Sequence, residues 1–215
     1  MSASIGGLLL HGAALMAMAA ASLPLPSGRM TFLGDSITYS GQYVEYTETM
    51  LRTRFPEKKW DIIDIGLPSE TVSGLSEPGH AGGKFPRPDL HERLDRVLAK
   101  SKPDWVFACY GMNDGIYYPL EAVRMAAHIT GIQKLRDEVQ AVGAKMVHLT
   151  PPTFDPVPIK GKTLPAGLDR YEQPYEGYDS VLTAYSEWLV SQRKSGWSVV
   201  DVHGPMSEHL VARRR

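Results

Sequence analysis

Five apolar runs of strand length, each followed by a segment with helical spacing, constrain this chain more than any other feature. The runs are "MTFLG" (Met30 to Gly34), "WDIIDIG" (Trp60 to Gly66), "DWVFACYG" (Asp104 to Gly111), "KMVHLT" (Lys145 to Thr150) and "WSVVDV" (Trp197 to Val202). Between them, apolar residues recur at helical spacing: Tyr43, Tyr46, Met50 and Leu51; Leu90, Leu94, Val97 and Leu98; Val123, Ala127, Leu135 and Val139. Two further helices are expected over Val181 to Val190 and from Pro205 to Ala212. Regular alternation of this kind predicts an α/β doubly wound fold, with parallel strands and helices on both faces. The nearly continuous third run suits a strand buried on both faces. In such a sheet the ligand crevice lies at the carboxyl ends of the strands.

The chain has 215 residues, 43% of them hydrophobic, which is enough for one core and hardly for two. With a formal net charge of -1 and no Lys/Arg cluster before Arg213, Arg214 and Arg215, a basic nucleic-acid-binding face is excluded. The lone Cys109 rules out an internal disulfide framework and a Cys-rich zinc site. Set in "WVFACYG", it reads as a buried small hydrophobe without a catalytic role. The apolar leader "MSASIGGLLLHGAALMAMAAASLPLPSG" ends in small residues and prolines, and is read as a secretory signal peptide over residues 1–26. The expected location is secreted or periplasmic. No later segment reaches the roughly 18 apolar residues of a membrane span. Residues 27–215 then form one domain, with a long Pro-rich loop from Pro151 to Pro174 as a candidate functional wall.

Three short motifs follow the first three strands: "GDSIT" with Ser36, "IGLPSET" with Gly66, and "YGMND" with Gly111, Asn113 and Asp114. In the flavodoxin-like strand order 2-1-3-4-5, strands 2 and 3 flank strand 1. Gly66 and Asn113 then each lie about one strand spacing, ~4.8 Å, from Ser36. The backbone N–H groups of Ser36 and Gly66, with the Asn113 amide, would form a three-donor oxyanion hole. Singly, each motif also has an ordinary reading, as a turn glycine or a helix cap.

Taken in chain order, these residues resemble the SGNH hydrolases, the GDSL lipase/esterase family. Gly34-Asp35-Ser36 matches its first block, Gly66 its second, and Gly111-Met112-Asn113-Asp114 its third, over a stretch from about Met30 to Val202. The resemblance implies a flavodoxin-like three-layer sandwich around a five-stranded parallel sheet. It also implies a serine hydrolase that cleaves carboxylic esters through an acyl-enzyme, without metal or cofactor. Ser36 would be the nucleophile, Gly66 and Asn113 oxyanion donors, with Gly34, Asp35, Gly111 and Asp114 in support. The implied partner is a small-molecule or carbohydrate ester, acetyl esters first among them.

The family's fourth block, Asp-x-x-His after the fifth strand, has no match in "VVDVHGPMSEHLVARRR". Asp201 and His203 lie on strand 5, three spacings or about 14 Å from strand 1, beyond hydrogen-bond reach of Ser36. His209 shares that difficulty, and His80 has no carboxylate partner evident in the sequence. A complete enzyme is expected to continue past Arg215 with a catalytic loop and a covering helix, whose absence would bare an apolar sheet face. Two other readings use the same crevice: an inactive SGNH-fold binding module, and a flavodoxin-like domain for a phosphorylated ligand. "GHAGGKF" is one residue short of a phosphate loop, "HERLD" lacks a second zinc-binding histidine, and no Gly-x-Ser-x-Gly elbow occurs.

Overall fold

The computed structural model describes residues 28–159 and 161–214, so the expected leader over residues 1–26 lies outside the described residues. Five strands form one sheet: β1 (Gly28–Gly34), β2 (Trp60–Gly66), β3 (Trp105–Cys109), β4 (Lys145–Leu149) and β5 (Ser198–Val200). All pairings are parallel, in the order β2-β1-β3-β4-β5 expected of a flavodoxin-like sheet. Gly34 is in register with both Gly66 and Cys109, so β1, β2 and β3 end level. That register delivers all three motifs to one edge of the sheet.

The helices are α1 (Ser36–Tyr39), α2 (Gln42–Arg54), α3 (Leu94–Ser101), α4 (Ala122–Ala141), α5 (Asp179–Ser191) and α6 (His203–Arg213). Alternate strand residues face opposite layers. Leu33, Val106, Ala108 and Met146 pack against Leu94 and Leu98 of α3, Leu135 and Val139 of α4 and Leu189 of α5. On the other face Met30, Phe32, Trp105 and Val147 pack with Val44 and Leu51 of α2. Met30, Phe32 and Val147 are fully covered there, while Ile62, Phe107 and Leu149 on the same face are half-buried and Val200 is 37% exposed at the edge. Helix α6 follows β5 and is held by the ion pair of Arg214 with Asp155. Among the described residues no helix is long and apolar enough to cross a membrane.

A third cluster, Tyr178, Val181, Leu182 and Tyr185, packs against Met112, Tyr117 and Phe154, closing over the segment after β3. The loop after β2 is tied down differently, by a buried charge. Glu70 is wholly buried and accepts from Arg93 Nε and Nη2 at 2.5 and 2.7 Å and from Tyr110 Oη at 2.6 Å. Leaving such a carboxylate without its cation costs about 3–5 kcal/mol. Arg93→Met is therefore expected to lower unfolding stability by that order in urea titrations.

Candidate active site

The chain turns sharply at Gly-Asp-Ser because α1 lies directly on the ends of β1 and β2. A Cβ on Gly34 would stand 2.0 Å from Thr38 Oγ1, and one on Gly66 would stand 2.1 Å from the Tyr39 backbone nitrogen. Only glycine permits that approach. Asp35 caps the turn, its Oδ1 accepting the Ile37 N–H at 2.9 Å. Ser36 is left exposed at the first helical position, where its N–H has no intrahelical acceptor. Its hydroxyl makes no hydrogen bond among the described residues.

Asn113 reaches the same place from β3. It is 4% exposed, and its Nδ2 donates to Asp35 Oδ2 and to the Glu70 carbonyl, both at 3.2 Å. Its Oδ1 accepts from Arg87 Nη1 at 3.0 Å and Tyr117 Oη at 3.3 Å. Asp114 points the other way: its Oδ1 accepts the Val72 and Ser73 N–H groups at 2.9 and 2.8 Å and faces His128 Nδ1 at 3.8 Å. Burial raises the Asp114 pKa, but His128 and the Ser73 N–H hold it below its ordinary value. Gly111, at φ +136, makes the bend between β3 and Asn113, with Pro151 packed against its Cα. Asp114 and Gly111 thus shape the site without facing Ser36.

The structure reassigns Gly66. Its N–H donates to Asp64 Oδ1 at 2.9 Å, so it does not offer the open oxyanion donor expected from the sequence. Its observed part is to let α1 settle on β2. Asp201 and His203 also serve the framework. Thr150 Oγ1 donates to Asp201 Oδ1 at 3.1 Å and accepts the Val202 and His203 N–H groups, while His203 Nε2 lies 3.0 Å from Thr183 Oγ1. His209 is exposed on α6. His80 does have a carboxylate, contrary to the expectation from the sequence: its Nδ1 lies 3.2 Å from Glu77 Oε1. That carboxylate is also gripped by Arg87, Nε to Oε2 at 2.6 Å and Nη2 to Oε1 at 2.8 Å. Cys109 is buried, and burial pushes its thiol pKa up, consistent with an inert core residue.

Sequence reasoning missed Glu70, Glu77 and Arg87. Glu77 and Arg87 lie ten residues apart in an irregular loop, where no periodicity marks a partner. One trace was visible: the Gly/Pro-rich stretch from Leu67 to Pro88 is long for a strand-to-helix connection.

Burial pushes the Asp35 pKa up to about 6 against the Ile37 N–H, with Asp114 and Glu70 adding to the rise. Asp35 therefore binds its proton more tightly folded than unfolded, and its contribution to stability is greatest below its unfolded pKa, about 4, and lost as the pH rises through about 6. His148, buried and stacked on Trp197, has the opposite sign: desolvation lowers its pKa from 6.5 to about 3, so its contribution is lost as the pH falls through that window. The two oppose each other between about pH 4 and 6. Asp35→Asn is expected to unmask the His148 contribution, so that stability rises more steeply with pH over that interval in chemical-denaturation series.

A family model described as GDSL-like lipase/acylhydrolase matches residues 32–214. Among curated proteins no sequence matches significantly. Several solved structures share the fold. A gut microbial diltiazem-metabolizing enzyme superposes with a TM-score of 0.62 at 19% identity, over 85% of this chain and 38% of that one, so this chain spans well under half of its length. A catalytic serine mutant of the acetylxylan esterase Axe2 from Geobacillus stearothermophilus gives 0.62 at 20% identity, over 87% and 82%. The acetyl xylan esterase AlAXEase gives 0.60 at 17% identity, over 87% and 84%. The family match takes in the turn that exposes Ser36, the loop after β2 and the Asn113 bend after β3, and by that match the chain belongs to the GDSL-like lipase/acylhydrolase family.

Proposed function

We propose that the chain is a serine esterase in which Ser36 takes up the acyl group of a carboxylic ester. The observation that carries this reading is the pairing of an exposed Ser36 hydroxyl with a buried Asn113 amide, joined through Asp35 at level strand ends. Ser36 Oγ attacks the ester carbonyl carbon, its proton passing to a general base and on to the departing alcohol. Water then cleaves the acyl-serine and releases the acid. The oxyanion is met by the Ser36 N–H and by Asn113 Nδ2, one of whose two protons turns to it from Asp35 Oδ2 or the Glu70 carbonyl as the charge develops. In place of Gly66, Ser69 supplies the donor from the loop after β2. It is half-buried at φ 67, its carbonyl lies 3.5 Å from Arg87 Nη1, and its N–H has no acceptor among the described residues.

Small acyl groups on a polar alcohol, acetylated carbohydrate above all, are the proposed substrates. Two structural neighbours are named as acetylxylan esterases, which supports that choice. The apolar leader supports export to a secreted or periplasmic location.

With p-nitrophenyl acetate, Ser36→Ala is expected to abolish turnover and labelling by a fluorophosphonate probe, while circular dichroism and melting temperature stay unchanged. Removing an oxyanion donor typically costs about 10²–10³ in kcat, the range expected for Asn113→Ala. A loss in His80→Ala as deep as that in Ser36→Ala would assign the base to His80. Wild-type protein that is folded yet shows neither turnover nor labelling at Ser36 would instead favour the binding-module reading.

A further inference from the structure

The loop after β2 contains a charge pair that the ester reaction leaves unused. Glu77 and Arg87 make a two-point ion pair, and the side chain of Arg87 is only 6% exposed. Carrying a guanidinium into a protein interior is unfavourable unless its fork is fully occupied. Two of its nitrogens are occupied by Glu77, and the third, Nη1, donates to Asn113 Oδ1 at 3.0 Å. The guanidinium also lies 5.4 Å above the ring of Tyr117, whose hydroxyl donates to that same Oδ1.

These contacts determine which way the Asn113 amide points. Its oxygen faces two donors, Arg87 and Tyr117, and its nitrogen faces two acceptors, the Asp35 carboxylate and the Glu70 carbonyl. The flipped amide would set NH2 against a guanidinium and oxygen against a carboxylate and a carbonyl, losing the bonds to Arg87, Asp35 and Glu70. The backbone that brings Tyr117 into place is itself unusual. Ile116 and Tyr117 take φ values of +47 and +60, and a β-branched residue in the left-handed region costs of the order of 1–2 kcal/mol. Such strain persists where surrounding contacts over-determine it, and it concentrates at functional sites.

We infer that Arg87, anchored by Glu77 and backed by Tyr117, is a positioning residue that orients and polarises the Asn113 amide toward the carbonyl oxygen attacked by Ser36. The inference rests on the esterase reading above and extends it to the loop after β2. A cationic donor on Oδ1 draws electron density from the amide nitrogen, which makes its N–H groups stronger donors where negative charge develops. The Glu77 anchor keeps the guanidinium from swinging into solvent when substrate arrives.

Two readouts test it on the full chain. The first is the side-chain amide resonance of Asn113 in 15N–1H spectra, assigned by its absence in Asn113→Asp. Arg87→Met is expected to shift both Nδ2 protons and speed their exchange with water, and Arg87→Lys to do so less. The second is p-nitrophenyl acetate turnover. Arg87→Met should lower kcat about 10²-fold, as displacement of a catalytic group by about 1 Å can do, with KM changed little. Millimolar methylguanidine should restore part of that kcat in Arg87→Met and none in Ser36→Ala.

If Arg87→Met does not fold, Glu77→Gln gives the same two readings with the guanidinium present but unanchored. An Asn113 resonance that ignores Arg87→Met and Glu77→Gln, or a kcat that falls only in proportion to lost folded protein without methylguanidine rescue, overturns the inference. Should the wild type show no Ser36-dependent turnover while the Asn113 resonance follows Arg87, the orientation of the amide by Arg87 stands and the esterase reading fails. Ser36-dependent turnover with the amide resonance unmoved by either variant means the reverse: the esterase reading stands and Arg87 does not position the amide.

Discussion

Three buried carboxylates at the carboxyl end of the sheet must each be satisfied, and the arrangement of the site follows from how that is done. Asp35, Glu70 and Asp114 are each 2% exposed or less. A carboxylate removed from water without partners is so unfavourable that it either takes up a proton or gathers donors around it. Asp35 does some of both, taking the Ile37 N–H and Asn113 while its pKa rises. Glu70 gathers Arg93 and Tyr110. Asp114 gathers the Val72 and Ser73 N–H groups. Every one of these partners comes from a different element than its carboxylate, save Ile37, so satisfying the charges also joins β1, the loop after β2, α3 and the segment after β3.

Close backbone approach is the second constraint. Parallel strands that end level would leave a serine after β1 buried under the following helix if that helix began at its usual distance. With Gly34 and Gly66 lacking side chains, α1 can press onto the strand ends, and Ser36 emerges at the surface with its N–H unused. The exposure of Ser36 thus depends on two absent methyl groups. The same logic reassigns Gly66 from donor to spacer: its value lies in what it lacks.

Around Asn113 the polar contacts form a directed chain from His80 through Glu77 and Arg87 to the amide, then to Asp35 beside Ser36. Aromatic packing of Tyr117 on Tyr178, at 4.9 Å between centroids, closes the side of this chain toward the third cluster. Tyr117 and Tyr178 are therefore wall residues, with one face in packing and polar tips turned to Asn113 and to the backbone of the site.

Strand and helix positions were legible in the sequence because burial on two faces writes itself into composition: Trp105 to Cys109 had to be apolar throughout, Met30 to Gly34 nearly so with Thr31 the one polar side chain, and Leu94, Val97 and Leu98 had to share a face. The three motifs were legible too, since glycine, a cap and a short polar residue after a strand leave a local signature, and the family resemblance they carry supplied the strand order. The partners of those motifs left none. Arg87 meets Asn113 and Glu77 holds Arg87 through geometry that a long irregular loop does not encode in spacing. The sequence by itself determined the sheet and the edge at which chemistry would gather, because hydrophobic periodicity is local. Only the tertiary structure decided which donors are free and which are spent, because a hydrogen bond between residues 26 apart depends on where the whole chain brings them.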